Sequence, residues 1–197
     1  MQHAIVMQQI FAKITADPRY QRNLDWGEPR AGHPEGTVRA HIAELEQILE
    51  KVRPKVSDEN YWKLKILIHV HDTFKGEARQ GVSISDPQSH ASLARQFLAG
   101  YLRVEGLEQA EAEDLLNMVQ YHDEGHALWR QFAERGRYNQ ERFAKLLETI
   151  TDWNLFLWFV VIDGSTEGKG QESLEWFVSE VKTKAGFASE VDFFATD

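Results

Sequence analysis

The chain has 197 residues, 42% of them hydrophobic, and a formal net charge of -9 at pH 7. This apolar content is typical of a folded domain, and the acidic balance argues against duplex nucleic acid or an anionic membrane as partner, because both attract clustered Lys and Arg. The chain holds no cysteine, which excludes disulfides, iron–sulfur clusters and thiol nucleophiles.

The N-terminal segment lacks the basic start and unbroken apolar run of a signal peptide. The longest apolar run, 155–162, is shorter than the about 20 residues that cross a bilayer. With no cysteine either, these features predict a soluble, cytoplasmic protein. At this length we expect one domain over 1–197, and a homo-oligomer is compatible with the sequence.

Helical periodicity dominates the chain. Residues 17–36 are rich in Pro, Gly, Arg and Asp and predict a long loop, followed by a helix over about 36–52 that Thr37 or Glu35 could cap. Ser57 is placed to cap a second helix, with Asn60 at its third position. Further helices are predicted at about 87–103, 107–122, 138–150, 152–163 and 171–185.

The remaining segments predict loops rather than a sheet. The run GVSIS at 81–85 alternates as a strand would, but no partner strand is evident. We expect the loops 17–36, 76–89 and 124–137 to determine specificity, and residues 186–197 to form a loose tail. The fold class predicted is an all-α, compact single-domain helical bundle.

Several polar residues interrupt the apolar stripes of these predicted helices at inward positions. Burying such groups without partners would cost about 2 kcal/mol or more each, and far more if they are charged. Imidazole nitrogens and carboxylate oxygens together bind divalent transition metals, and a shared ion removes this cost. The sequence therefore predicts one metal centre built from His41, His71, Asp72, His90, His122 and Asp163.

The order of these residues resembles the HD-domain superfamily of metal-dependent phosphohydrolases. The segment HPEGTVRAH resembles the one that introduces the first ligand, and HVHDTFK matches the HD-x-x-K form of the central motif. SHASLARQFL, VQYHDEG and VVIDG match the later motifs, so the resemblance covers 33–163, with 171–197 as a C-terminal helix and tail. The YHxxG spacing is similar to the dinucleotide-polyphosphate hydrolases of the superfamily, whereas the tandem His-His of the cyclic-dinucleotide phosphodiesterases is absent.

The resemblance implies a role for each ligand candidate. His41, His71, Asp72 and Asp163 would bind a first ion, and Asp72 would bridge to a second ion held by His90 and His122. Lys75, in the HD-x-x-K motif, would contact substrate phosphate, so Asp72 and Lys75 are the expected catalytic residues. The implied cofactor is one or two divalent ions: Fe, Mn, Co, Ni or Zn, with Mg also allowed.

The function implied is hydrolysis of a small phosphorylated substrate, a nucleotide-like or other phosphate ester or anhydride, by metal-activated water. Two alternatives stay open on the sequence. A di-iron oxygenase of the same superfamily uses a similar set of six ligands, and a non-catalytic nucleotide-binding scaffold would keep the helices without turnover.

Other polar residues have less specific signals. Glu35 or Asp123 could orient a ligand imidazole, or could be a solvated carboxylate, and Trp26 could anchor its loop or contact substrate. The run GSTEGKG at 164–170 lacks the spacing of a phosphate loop and predicts a loop at the edge of the pocket. His69 is expected to be structural or to support a ligand rather than to bind the ion, and the roles of His33 and His126 stay open. Further candidate phosphate contacts are Arg39, Arg79, Arg130 and Lys169.

Overall fold

The computed structural model describes residues 2–31, 33–103, 107–184 and 193, and within them it contains ten α-helices and no β-strand. The predicted all-α class is confirmed. The helices are α1 (Gln2–Ala16), α2 (Pro18–Asn23), α3 (Val38–Val52), α4 (Asp58–Val70), α5 (His90–Leu102), α6 (Gln109–Tyr121), α7 (Glu124–Arg135), α8 (Gln140–Thr149), α9 (Trp153–Gly164) and α10 (Gln171–Lys184). A short 3-10 helix, Arg53–Lys55, follows α3.

Two helices form the centre of the fold. α9 is apolar on nearly every side, as expected of a helix surrounded by protein, and it packs against α3, α4 and α10. α4 packs against α1, α3, α6 and α9. Because α4 and α9 cross the interior, the polar residues at their C-terminal ends lie inside the protein rather than on its surface.

Side-chain caps define where the site-bearing helices begin. Thr37 accepts a hydrogen bond from Ala40 N at 3.2 Å and caps α3, and Ser57 accepts one from Asn60 N at 3.1 Å and caps α4. Ser89 caps α5 in the same way, directly before His90. Such bonds satisfy amide groups that have no partner within the helix. The cap predicted at Ser57 is confirmed.

Two of the predicted loops were wrong in part. The expected loop over 17–36 contains α2, which starts at an Asp17 cap with Pro18 in the first helical position. The expected loop over 124–137 is mostly α7, which has no side-chain cap to mark its start. The GVSIS run at 81–85 forms turns, because no other segment offers it a ladder of backbone hydrogen bonds.

The N-terminal helix, for which the sequence analysis gave no bounds, is part of the core. Met7, Ile10 and Ile14 are fully buried on α1, which packs against α4. None of the described helices is long and apolar enough to cross a membrane. The tail predicted over 186–197 lies outside the described residues, apart from Phe193, whose ring contacts Trp158 at 4.7 Å.

Candidate metal centre

The six ligand candidates meet where five helices begin or end. His41, His71, Asp72 and His122 are buried, while His90 and Asp163 are partly exposed. His41 lies in the first turn of α3, and His71 and Asp72 lie in the turn after α4. His90 is the first residue of α5, His122 directly follows α6, and Asp163 lies at the end of α9.

The first donor set surrounds one oxygen of Asp72. His71 Nε2 lies 3.5 Å from Asp72 Oδ2 and 3.4 Å from Asp163 Oδ1. His41 Nε2 lies 3.2 Å from Asp163 Oδ1 and 3.9 Å from Asp72 Oδ2. The donor atoms of His41, His71 and Asp163 lie within 4.8 Å of one another, and Asp72 Oδ2 lies within 3.9 Å of both imidazole nitrogens.

The second donor set surrounds the other oxygen of Asp72. His122 Nε2 lies 3.5 Å and His90 Nε2 3.6 Å from Asp72 Oδ1, and the two nitrogens are 3.4 Å apart. Asp123 adds a further donor, since its Oδ2 lies 3.3 Å from His90 Nε2 and 3.5 Å from His122 Nε2. The carboxylate of Asp72 thus lies between two clusters of donors.

Backbone carbonyls orient two of the imidazoles. His71 Nδ1 donates to Ile68 O at 3.1 Å, and His122 Nδ1 donates to Val119 O at 2.8 Å. These bonds place a proton on Nδ1 and direct Nε2 towards Asp72, the arrangement that metal-binding histidines use.

The pKa values of His71 and His122 are shifted in opposite directions. Burial lowers the pKa of His71. Burial opposes charge on His122 as well, but the carboxylates of Asp123 and Asp72 outweigh it and raise the pKa of His122 to about 9. A divalent cation would have to displace that proton, so its binding would release a proton into solution.

Donor chemistry and spacing fit divalent cations. His71 Nε2 and Asp72 Oδ1 are buried without any hydrogen-bond partner among the described residues, a costly state that an ion would relieve. An ion with four donors at about 2.0–2.2 Å in a tetrahedron separates them by about 3.3–3.6 Å. Most donor separations in both sets, from 3.2 to 3.9 Å, lie within or close to that interval.

Two lysines neutralise the carboxylates of the centre. Lys75 Nζ contacts Asp72 Oδ2, and Lys169 Nζ lies 2.7 Å from Asp163 Oδ1. Burial lowers the pKa of Lys75, but Asp72 and the neighbouring carboxylates outweigh burial and raise it. Burial raises the pKa of Asp72 and of Asp163. The nearby lysines and histidines outweigh burial and hold both pKa values well below the ordinary range.

Glu35 lies on the outer side of the first set. Its Oε1 is 3.0 Å from His41 Nδ1, without the alignment of a hydrogen bond, and 2.9 Å from His33 Nδ1, with which it is bonded. This position fits the orienting role rather than the solvated carboxylate, and it gives His33 a partner. Asp123, the other carboxylate considered for that role, faces the Nε2 atoms of the second set instead.

Two cavities open onto the centre and share Asp123 and Lys75. One, of about 370 Å³, has Leu174 and Phe177 in its wall. The other, of about 980 Å³, is lined by Trp26 together with polar and charged side chains. The residues around the donor sets therefore line cavities on two sides.

The four further candidate phosphate contacts differ in whether they line a cavity. Arg79 lines the larger cavity and Lys169 the smaller one. Arg39 instead pairs with Asp25 at 2.8 Å, and Arg130 with Glu134 on its own helix. Both of these arginines are exposed and line neither cavity, although Asp25, the partner of Arg39, lines the larger one, so their role as phosphate contacts stays a prediction.

The other histidines and Trp26 also find places. His69 is buried, accepts from Tyr20 Oη at 2.6 Å and donates to Glu46 Oε1 at 3.0 Å, which fits the structural role expected. His126 lines the smaller cavity, and Trp26 the larger one, where its ring also covers Gly76. Trp26 thus both anchors its loop and faces the cavity.

Comparison with known proteins identifies no relative: no family model, no curated protein and no solved structure matches the chain. Interpretation of the function therefore depends on the geometry of the centre itself.

Proposed function

We propose that this protein is a metal-dependent phosphohydrolase that acts on a small phosphate ester or anhydride, nucleotide-like in character. The observation that carries the proposal is the position of Asp72, whose two oxygens face two separate clusters of imidazole and carboxylate donors. A carboxylate so placed is suited to joining two cations, and the resemblance to HD-domain phosphohydrolases agrees with this arrangement.

Divalent ions at the two sets would supply positive charge for phosphoryl oxygens and lower the pKa of a water molecule to about 7. The protein's part is to fix the donors. His71 and His122 are held by backbone carbonyls, and Asp72 is held by Lys75. Because water is the nucleophile in this proposal, no cysteine or serine nucleophile is required.

Lys75 and Lys169 are the groups best placed to meet an anionic substrate. Both line the smaller cavity, and each ammonium contacts a carboxylate of the centre. Once cations neutralise those carboxylates, each ammonium is free to bind a phosphate oxygen. The protein as a whole has a net charge of -9. A pocket that is locally positive would therefore attract an anion such as phosphate to this site.

The two cavities support organic groups on both sides of the phosphate. Leu174 and Phe177 give the smaller cavity an apolar wall, whereas Trp26, Arg30 and Arg79 line the larger one. An indole ring can stack on a planar base, and a guanidinium group can stack on a base or pair with a phosphate. These features support a nucleotide-like substrate and favour an ester or anhydride with two substituents.

The test is hydrolysis by protein loaded in turn with Mn, Fe, Co, Ni, Zn or Mg, against a panel of nucleotides, dinucleotides and simple phosphate esters. We expect release of phosphate or nucleotide, and its loss in Asp72→Asn. Asp58→Asn is the matched control, because Asp58 is exposed, pairs with Arg53 and lines neither cavity.

No product from any loaded form would reject the proposal. Activity that is equal in the wild type and in Asp72→Asn would reject the centre as its source. Oxygen uptake by the iron form without phosphate release would favour the di-iron oxygenase instead.

A further inference from the structure

We propose that Asp123 is the fourth protein ligand of a second cation, completing a set with Asp72 Oδ1, His90 and His122. The inference rests on the proposed metal centre and extends it beyond the six residues that the sequence indicated. It gives each of two cation positions four protein ligands, with Asp72 shared, and water would occupy a further position beyond those four.

The backbone at Asp123 is fixed, and its side chain is not used locally. Asp123 precedes α7 in a helical conformation with φ -83° and ψ -5°, yet its carboxylate makes no capping bond to that helix. The next residue, Glu124, is buried and pairs with Arg142 through both of its oxygens. The turn is thereby anchored, and the carboxylate of Asp123 is directed towards His90 and His122.

The donor separations match those of a four-coordinate ion. The five that the structure gives for the second set are 3.3, 3.4, 3.5, 3.5 and 3.6 Å. Tetrahedral coordination with bonds of about 2.0–2.2 Å requires about 3.3–3.6 Å. All five separations fall in that interval, including both that involve Asp123.

Asp123 also makes the two sets chemically alike. The first set holds two imidazole nitrogens with oxygens of Asp72 and Asp163, and Asp123 gives the second set the same composition. Equal donor types select the same kind of ion, so both positions take the same metal. The alternative is that Asp123, whose side chain is 47% exposed, only pairs electrostatically with the histidines.

The experiment is a titration of metal-free protein with Mn²⁺, read by calorimetry and by electron paramagnetic resonance, which detects coupling between adjacent Mn²⁺ ions. Wild type is expected to bind two ions per chain with a coupled spectrum. Asp123→Ala is expected to keep one ion and to lose the coupling. Its affinity for the second ion should fall by more than the about 100-fold that is typical when a group that only orients a ligand is removed. Asp25→Asn is the control for a carboxylate at the same cavity, and circular dichroism verifies folding.

Asp123→His separates ligation from charge, because imidazole can bind the ion but carries no negative charge. Read with Zn²⁺ in place of Mn²⁺, its affinity for the second ion should lie within about tenfold of wild type, since imidazole is a preferred ligand of Zn²⁺. Equal weakening in Asp123→His and Asp123→Ala would assign Asp123 an electrostatic role and overturn the proposal.

Two outcomes distinguish this inference from the proposed function. Two ions bound with unchanged affinity in Asp123→Ala reject Asp123 as a ligand and leave the phosphohydrolase proposal standing. A wild type that binds no Mn²⁺, Fe²⁺, Co²⁺, Ni²⁺ or Zn²⁺ rejects both proposals.

Discussion

Glu35 Oε1 lies 3.0 Å from His41 Nδ1, on the side of the ring opposite to the nitrogen that faces Asp163. A carboxylate behind a ligand histidine fixes the orientation of the ring and raises the basicity of the nitrogen that binds the ion. The pair is therefore the outer support of the first donor set.

Glu35→Gln should weaken binding of an ion at the first set by about 10–100-fold, because an amide orients His41 without the negative charge. Metal titration with a colorimetric chelator as competitor measures the effect. Glu28→Gln, an exposed position in the same region of the chain, is the control. An unchanged affinity in Glu35→Gln would show that Glu35 serves only His33.

Lys75→Met should retain the bound metal but lose turnover. Its ammonium contacts Asp72 and lines both cavities, so we expect it to bind the phosphoryl group as charge develops. Removing one such donor lowers kcat by about 100-fold or more. Steady-state kinetics beside metal analysis checks this, with exposed Lys51→Met as control. Unchanged kcat and KM would exclude Lys75 from the reaction.

Metal should stabilise the fold. An ion present at 1,000 times its Kd adds about 4.1 kcal/mol to the free energy of unfolding if only the folded state binds it. Thermal unfolding of wild type with Mn²⁺ and with EDTA should therefore differ clearly in Tm. Asp72→Asn should show little difference between the two conditions, whereas Asp25→Asn should behave like wild type. A wild-type Tm indifferent to every metal would contradict the fit of the donor sets.

Acid should remove the stabilisation that Glu46 provides. His69 and Lys65 outweigh the effect of burial and lower the pKa of Glu46 from 4.5 to about 2. A carboxyl group with a lower pKa in the folded state stabilises that state above pH 4.5, and the effect disappears as the pH falls through about 2.

Urea unfolding of wild type and Glu46→Gln should reveal this pH dependence. The difference in their unfolding free energies should be largest near neutral pH and should shrink between pH 4.5 and 2. Glu50→Gln is a useful comparison, since Glu50 lies on the same helix and accepts from Tyr61 Oη rather than from a histidine. A difference that does not depend on pH would assign the effect of Glu46 to packing.

Gly76→Ala should alter the wall of the larger cavity. A Cβ at this position would lie 2.6 Å from Trp26 Cδ1 and 3.2 Å from Trp26 Cβ, so the indole and the base of its side chain must shift. We expect KM for a nucleotide-like substrate to change with little change in kcat. Gly100→Ala, where a Cβ meets open space, is the control. Equal KM values would exclude Trp26 from substrate binding.

The helices that carry the ligands were predictable because their signals are local. Thr37 and Ser57 each precede an apolar stripe at helical spacing, and α9 is a continuous apolar run. The inward positions of the six ligand candidates follow from the same stripes. By contrast, α7 begins without a side-chain cap and has little buried surface, so the sequence of this segment predicts a loop.

The partners within the centre were not predictable from local patterns. Asp123 follows His122 in a turn, and nothing in the sequence indicates that its carboxylate faces His90, which is 33 positions earlier. The surroundings of Arg39 and Arg130 were equally unpredictable. Their charge suggested a role at phosphate, and the described structure pairs Arg39 with Asp25 and Arg130 with Glu134.

His41 and Asp163 meet across 122 positions of sequence. Contacts of such separation form late, because closing a long loop costs entropy before the contact can stabilise it. During synthesis the first donor set is incomplete until residue 163 has emerged and α9 has docked beside α3. Complete ion binding at the first set therefore requires α9, because the chain before it supplies only His41, His71 and Asp72 of that set.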